Sequence, residues 1–329
     1  MDFNNFKLAG FLVRKDVVMG KNKDTKMPWL MLTLTIDVGN GNRVDLSMFA
    51  NEKKKDGNDN SIYKGLMTIK DEFKSLNSTV KNKRLKDDAE AVKDESTTVA
   101  ELEECDFVRC NKGVTLQMNR YMRDGQINEN FRLSANFVNR VTDGDKTPFI
   151  EGTLSGVVES KGMVTEGGVD YPTMVLVVPT YREAWGDNPE RVVVEKFPLI
   201  LRMEDEDAIS YFDSEFDTNM PVSLGVEPTT MVIVEEKEDP TQKRGFGKVP
   251  TFNQTKVVRE LRIIGGYPLA ESEYESEKAF DVDLYNEGLQ EFDRKIEELK
   301  ADSGKDTTIA PKGFGRPSLG KTSSSDMPF

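Results

Sequence analysis

The sequence of 329 residues has no histidine, two cysteines and two tryptophans. Without histidine it has no imidazole to act as a base near neutral pH and no His-containing zinc site. Cys105 and Cys110 stand too far apart for a redox Cys-x-x-C pair and are read as buried or incidental thiols. No apolar run approaches the ~20 residues of a membrane-spanning helix. The opening Met1 to Gly20 carries Asp2, Lys7, Arg14, Lys15 and Asp16 among its apolar residues, so a signal peptide's apolar core is lacking. A phosphate-cradling glycine loop ending in Lys-Ser/Thr is also missing. The carboxylates at Glu204, Asp205, Glu206 and Asp207 have no partner cluster and read as a solvated helix start. The expectation is a protein of a reducing cytoplasm that is not an enzyme, uses no cofactor or metal and does not enter membranes.

Charge is plentiful but unevenly placed. The net charge is -13, which is unfavourable for a nucleic-acid binder, because such affinity comes largely from Lys and Arg neutralising phosphates. Residues 1–142 nevertheless hold 24 Lys+Arg against 21 Asp+Glu, and residues 143–329 hold 21 against 37. Within the first stretch, residues 87–106 alone carry 9 acids against 1 base. One acidic loop therefore masks a basic region of 1–86 and 107–142.

Alternation of apolar and polar residues marks strands. From Asn4, Phe6, Leu8, Gly10 and Leu12 share a face, and in Trp29 to Val38 the residues Leu30, Leu32, Leu34 and Ile36 alternate with Trp29, Met31, Thr33 and Thr35. Gly39-Asn40-Gly41-Asn42 reads as a hairpin turn, after which Val44, Leu46 and Met48 point inward and Arg43, Asp45, Ser47 and Phe49 outward. Trp29 and Phe49 are thereby placed on one outer face. Residues 51–104 form a charged insertion with helical spacing over 62–76. Strands resume at Asp106, turn at Asn111-Lys112-Gly113, run to Tyr121, turn again at Arg123 to Gln126, and end in Asn130 to Val141 with Phe131, Leu133, Ala135 and Phe137 inward. Five strands with a helix between the third and fourth is the order of an OB-fold, a small Greek-key barrel.

The same order recurs in Phe149 to Val158, Tyr171 to Tyr181, Arg191 to Leu201, a helix over Glu204 to Phe216, Val222 to Val234 and Lys256 to Gly265. The expected fold is therefore all-β dominated: OB-fold domains over 1–142 and 147–268, an acidic helical segment over 271–302, and a disordered tail over 303–329. Pro240 to Gln254, with Lys243, Arg244 and Lys248, reads as a basic glycine-rich loop. Residues 271–302 carry 12 acidic against 4 basic side chains, and after Gly304 the composition shifts to Gly, Pro, Ser, Thr and Lys, too poor in aliphatic residues to fold.

The tail ends Asp326-Met327-Pro328-Phe329. A terminal Phe offers a ring and a free carboxylate on one residue, suited to an apolar pocket with a basic mouth. This ending resembles the tip of bacterial and bacteriophage single-stranded DNA-binding proteins, in which acidic residues precede an aliphatic residue, Pro and Phe. Met327 stands at the aliphatic position, and only Asp326 immediately precedes the motif. Lys112 to Tyr121, followed by Asp124-Gly125-Gln126, and the opening Asn5 to Gly10 are similar to that family's fourth and first strands.

The resemblance implies sequence-independent binding of single-stranded DNA in replication, recombination or repair. It also implies recruitment of replication and repair proteins through Asp326, Met327, Pro328 and Phe329, with host-cell cytoplasm as the location for a phage-encoded chain. On the outer faces, Trp29, Phe49 and Tyr121 are the candidates for base stacking, and Arg43, Arg120, Arg123 and Arg132 for phosphate contact. Lys53-Lys54-Lys55, Lys81, Lys83 and Arg84 are less specific candidates, and Tyr181 and Trp185 are weaker ones. A homodimer would assemble four barrels, although a monomer fits the sequence equally well. Two other readings stay open: a mimic or mediator that mainly binds host replication proteins, and a virion structural protein built from OB barrels.

Overall fold

The computed structural model describes residues 3–302 except 55, 77–103, 124, 185–187, 204 and 239–250, with the side chains of 233–238 and 251–256 also outside the description. The tail tip, Trp185, Lys81, Lys83, Arg84, the loop cations Lys243, Arg244 and Lys248, and Glu204 lie outside the described residues.

Two closed barrels follow one another. The first is built from β1 (Asn4–Lys21), β2 (Pro28–Asp37), β3 (Arg43–Asn51), β4 (Phe107–Arg123) and β5 (Gln126–Ser134), with α1 (Ser61–Glu72) between β3 and β4. β1 pairs with β2 and β4, β2 with β3, and β4 with β5, all antiparallel, and a parallel β3–β5 pairing closes the ring. The short β6 (Asn139–Arg140) adds to β4. The second barrel repeats this with β7 (Phe149–Glu166), β8 (Val169–Arg182), β9 (Arg191–Ile200), β10 (Pro221–Glu238) and β11 (Thr251–Pro268), α2 (Glu206–Glu215) lying between β9 and β10. Its ring closes through the parallel β9–β11 pairing. This connectivity is that of the OB-fold in both halves.

The inward rows are those that alternation marks: Phe6, Leu8 and Leu12 on β1, Leu30 to Ile36 on β2, and Val44, Leu46 and Met48 on β3 are buried. Two expectations are corrected. Asn111-Lys112-Gly113 is no turn but a bulge inside an unbroken β4, with Gly113 at φ 70 and Phe6 and Leu8 facing Val114 and Cys110 across it. The last strand of the first barrel ends at Ser134, so Phe137 is 48 % exposed and rests on Gly65 of α1, while Val138 takes the buried place. The two φ-positive glycines Gly39 and Gly41 make the β2–β3 hairpin as expected.

The barrels join through their first strands. β1 and β7 pair antiparallel from Asn4↔Leu154 to Ala9↔Phe149, with Phe6 opposite Gly152. Matching residues recur at one spacing along the chain: Gly10 meets the carbonyl of Asp37 and Gly156 that of Val177, each at a distance that no Cβ would allow. Phe6 and Gly152 share that spacing, so the pair lies on the pseudo-two-fold axis relating the halves. Buried side chains of both barrels form one continuous cluster.

After β11 come α3 (Glu271–Tyr274), a 3-10 turn at Lys278–Phe280 and α4 (Val282–Asp302). α4 lays Leu284, Tyr285, Leu289 and Phe292 on the satellite cluster Val177, Val192 and Val194, which stands on the outer face of β8–β9.

Candidate nucleic-acid interface

The outer face of β2–β3 is ordered in rows by the strand registers. Gly20, Trp29 and Asn51 form the first row, then Val18, Met31 and Phe49, then Asp16, Thr33 and Ser47. The face continues through Ser134 on β5 and Thr115 on β4. Trp29 lies against Gly20, where a Cβ would come within 2.4 Å of the indole. Its ring sits 6.0 Å from that of Phe49 at 38°, and Phe49 is 48 % exposed. Met31, paired with Phe49 in the second row, is buried, so the rings share this part of the face with an apolar neighbour. Lys21, Lys23 and Lys26 on the β1–β2 hairpin and Lys53 and Lys54 after β3 are exposed around this end.

Toward the other end, alternation along the β4–β5 hairpin divides the remaining candidates. Arg132 is half-buried and donates from Nε and Nη2 to the Gln117 Oε1 at 3.3 and 3.2 Å. Burial draws its pKa down from the ordinary arginine value. Tyr121, half-buried, and Arg123, exposed, stand near the hairpin tip. Trp29 and Phe49 therefore meet, whereas Tyr121, Arg123 and Arg132 belong to the opposite end of the face.

Two candidates are placed away from open solvent. Arg120 points to the other side of the hairpin, into the contact with the second barrel, where it bridges Glu129 and Glu195 with a side chain only 9 % exposed. It also lies 4.9 Å from the Phe292 ring of α4. Arg43 is ion-paired to Asp37 at 3.1 Å, and its Nη1 is buried with no acceptor among the described residues. Alternation puts Arg43 outward with Asp45 and Ser47, where Asp37 of its own barrel takes it up, whereas Arg120 has the inward parity of Leu116 and Met118, which past the rim leads to the second barrel.

The reason is geometric: beyond the barrel rim, the inner face of each β-hairpin continues onto its neighbour. Leu116 and Leu133 fill the first core, and the next pair, Met118 and Phe131, lines a cleft of about 550 Å3 whose floor is Thr173, Val175, Pro198 and Ile200 of the second barrel. At this cleft Arg202 is held by Glu166 at 2.8 Å and by Glu260, and lies over the Tyr171 ring. The charge of Arg202 is thus already matched. Reciprocally, Asn42, buried in the β2–β3 turn, donates to the Pro228 carbonyl at 3.0 Å and accepts from the Thr230 amide at 2.9 Å on β10. Arg259, opposite Thr230, reaches Asp45 of β3 at 3.8 Å. Neither Asn42 nor Arg259 was singled out in sequence, since no local pattern says which barrel a strand residue will touch.

A family model described as YorF matches residues 2–302. The chain belongs to the YorF family. No curated protein matches the sequence of this YorF-family chain. Among solved structures it is similar to the wild-type single-stranded DNA binding protein from Thermus aquaticus, at a TM-score of 0.41 and 10 % identity over 81 % of this chain and 93 % of that one. A deletion mutant of the same Thermus aquaticus protein gives 0.40 and 10 % identity over 82 % and 95 %. The OB-fold assignment rests on the strand pairings themselves. Among the described residues no group of side chains could hold a metal ion, and no helix is long and apolar enough to cross a membrane.

Proposed function

We propose that this protein binds single-stranded DNA without regard to sequence, using the outer face of the first barrel. The observation that carries the reading is the Trp29–Phe49 pair, seated on the β2–β3 face beside a lysine-bearing β1–β2 hairpin. That face and that hairpin are where OB-folds take up oligonucleotides. Stacking on aromatic rings tolerates any base, and surrounding lysines supply the phosphate attraction. Tyr121, Arg123 and Arg132 extend the path along the same face, while Arg43 and Arg120 serve the fold through their carboxylate partners.

The second barrel gives less support to such a role. α4 lies on part of its β8–β9 outer face, and the cleft beside it is bordered by Met118 and Phe131 with Arg202 already paired. The first barrel is accordingly proposed as the main binder, and the chain as a non-enzymatic one. We further propose that Asp326, Met327, Pro328 and Phe329 recruit replication or repair proteins, a reading supported by the sequence of the tip.

Titration with oligo(dT) in a Trp185→Phe background tests the first claim, because Trp29 then supplies all tryptophan emission. Quenching at low salt that is reversed by added salt is expected, and an absence of affinity at low salt would overturn it. Deleting Asp326 to Phe329 should leave that affinity unchanged while abolishing capture of a replication protein.

A further inference from the structure

We infer that Arg259, although it belongs to the second barrel, is a phosphate-holding residue of the first barrel's binding face. The inference rests on the reading just given and adds a residue that reaches the site from outside the barrel that forms it. Four contacts fix its position. The buried Asn42 side chain clamps the β10 backbone through Pro228 and Thr230. Thr230 pairs directly with Arg259 across the β10–β11 ladder. Arg259 then stands 3.8 Å from Asp45, which also accepts from the Thr35 hydroxyl at 2.8 Å. Asp45 and Thr35 occupy the outer row next to Thr33 and Ser47, on the face that carries Trp29 and Phe49.

Arg259 is unlike the other arginines near this face. Arg43 is largely buried on Asp37, and Arg120 on Glu129 and Glu195. The Arg259–Asp45 contact is long, and its two side chains are 34 % and 42 % exposed. Such a pair contributes little in water and is readily exchanged for a phosphate. Asp45 is thus a weak stand-in for the ligand's anion. The parallel register Leu46↔Leu133 puts Asp45 level with Arg132 on β5, whose guanidinium is bonded to Gln117, so both arginines stand at the end of the face away from the rings. A strand stacked on Trp29 and Phe49 and running past Thr33 and Ser47 would arrive there with its backbone between Arg132 and Arg259.

The test is oligo(dT) affinity of the full chain across a salt series. For Arg259→Ala we expect a loss of roughly three- to tenfold at low salt and a salt slope shallower by about 0.7, the value for one phosphate contact on a single strand. Arg259→Lys should retain most of the affinity. Asp45→Asn, which leaves an acceptor for Thr35 but no competing charge, should tighten binding about two- to fivefold. Arg262→Ala, turned toward Glu260 on the other side of β11, should leave the slope alone. An unchanged affinity and slope in Arg259→Ala would overturn the inference. So would a loss with unchanged slope, or weaker binding in Asp45→Asn, since either marks the ion pair as a strut that only holds β10 and β11 against β3. A wild-type chain with no affinity for oligo(dT) would instead strike the parent proposal.

Discussion

Lys15 in the first barrel and Lys161 in the second close the same kind of gap. The Lys15 ammonium donates to the carbonyls of Ile69, Lys70 and Phe73 at 3.2, 2.7 and 2.7 Å, at the C-terminal end of α1. Lys161 donates to Phe212 and Asp213 at 3.3 and 3.0 Å at the end of α2. A helix leaves its last carbonyls without partners and slightly negative, so one cation per barrel holds each helix against its strands. Lys15→Met is expected to cost roughly 1–3 kcal/mol, and Lys161→Met less. Thermal denaturation of the single and double variants checks this, with near-additive losses expected because the two sites share no partner.

The aromatic pair makes a separate prediction. Trp29→Ala and Phe49→Ala should each weaken oligo(dT) binding by about 1–3 kcal/mol. Because the two rings are within 6.0 Å, the double variant should lose less than the sum of the singles. Equal affinity in all four proteins would remove these rings from the interface.

Burial sets the behaviour of the two thiols. It pushes the Cys105 pKa up to about 12, helped by Glu104 and Asp106, and raises that of Cys110 as well. In the unfolded chain both thiols would ionise near 9, so above that pH the folded state holds more protons than the unfolded one. Stability should therefore fall as pH rises from about 9 toward 12. Alkylation at pH 8 should be slow in the native protein and fast in urea, and Cys→Ser changes at both positions should flatten the alkaline loss.

Gly288 governs the seating of α4. A Cβ there would come within 2.7 Å of the Val192 carbonyl oxygen, a backbone atom that cannot step aside. Gly288→Leu raises helix propensity yet should lift α4 from β9. Limited proteolysis should then cut within 282–302, while oligo(dT) binding by the first barrel stays at its wild-type level.

Strands, barrel order and both helices between third and fourth strands were legible because a half-buried strand writes its two faces into alternate residues. Phe131 and Phe137 show where that legibility stops. Both continue the inward parity of Leu133, but one has passed the rim onto the second barrel and the other follows the strand's end. The same limit explains Arg120 and Arg43: parity tells which way a side chain leaves its own sheet, and nothing local tells what waits there. The segment 271–302 is legible as an acidic helix, whereas the seat of its Leu284, Leu289 and Phe292 on Val177, Val192 and Val194 depends on residues about a hundred positions earlier.

The pairing of β1 with β7 has one more consequence. In a dimer of identical barrels, the residue on the two-fold axis would have to face its own copy, and two phenylalanines could not share the space that Phe6 fills over the bare backbone of Gly152. Covalent linkage releases the junction from self-complementarity: one half supplies the knob and the other the hollow. Each barrel is then at liberty to specialise, because a change on one side no longer appears, uninvited, on the other.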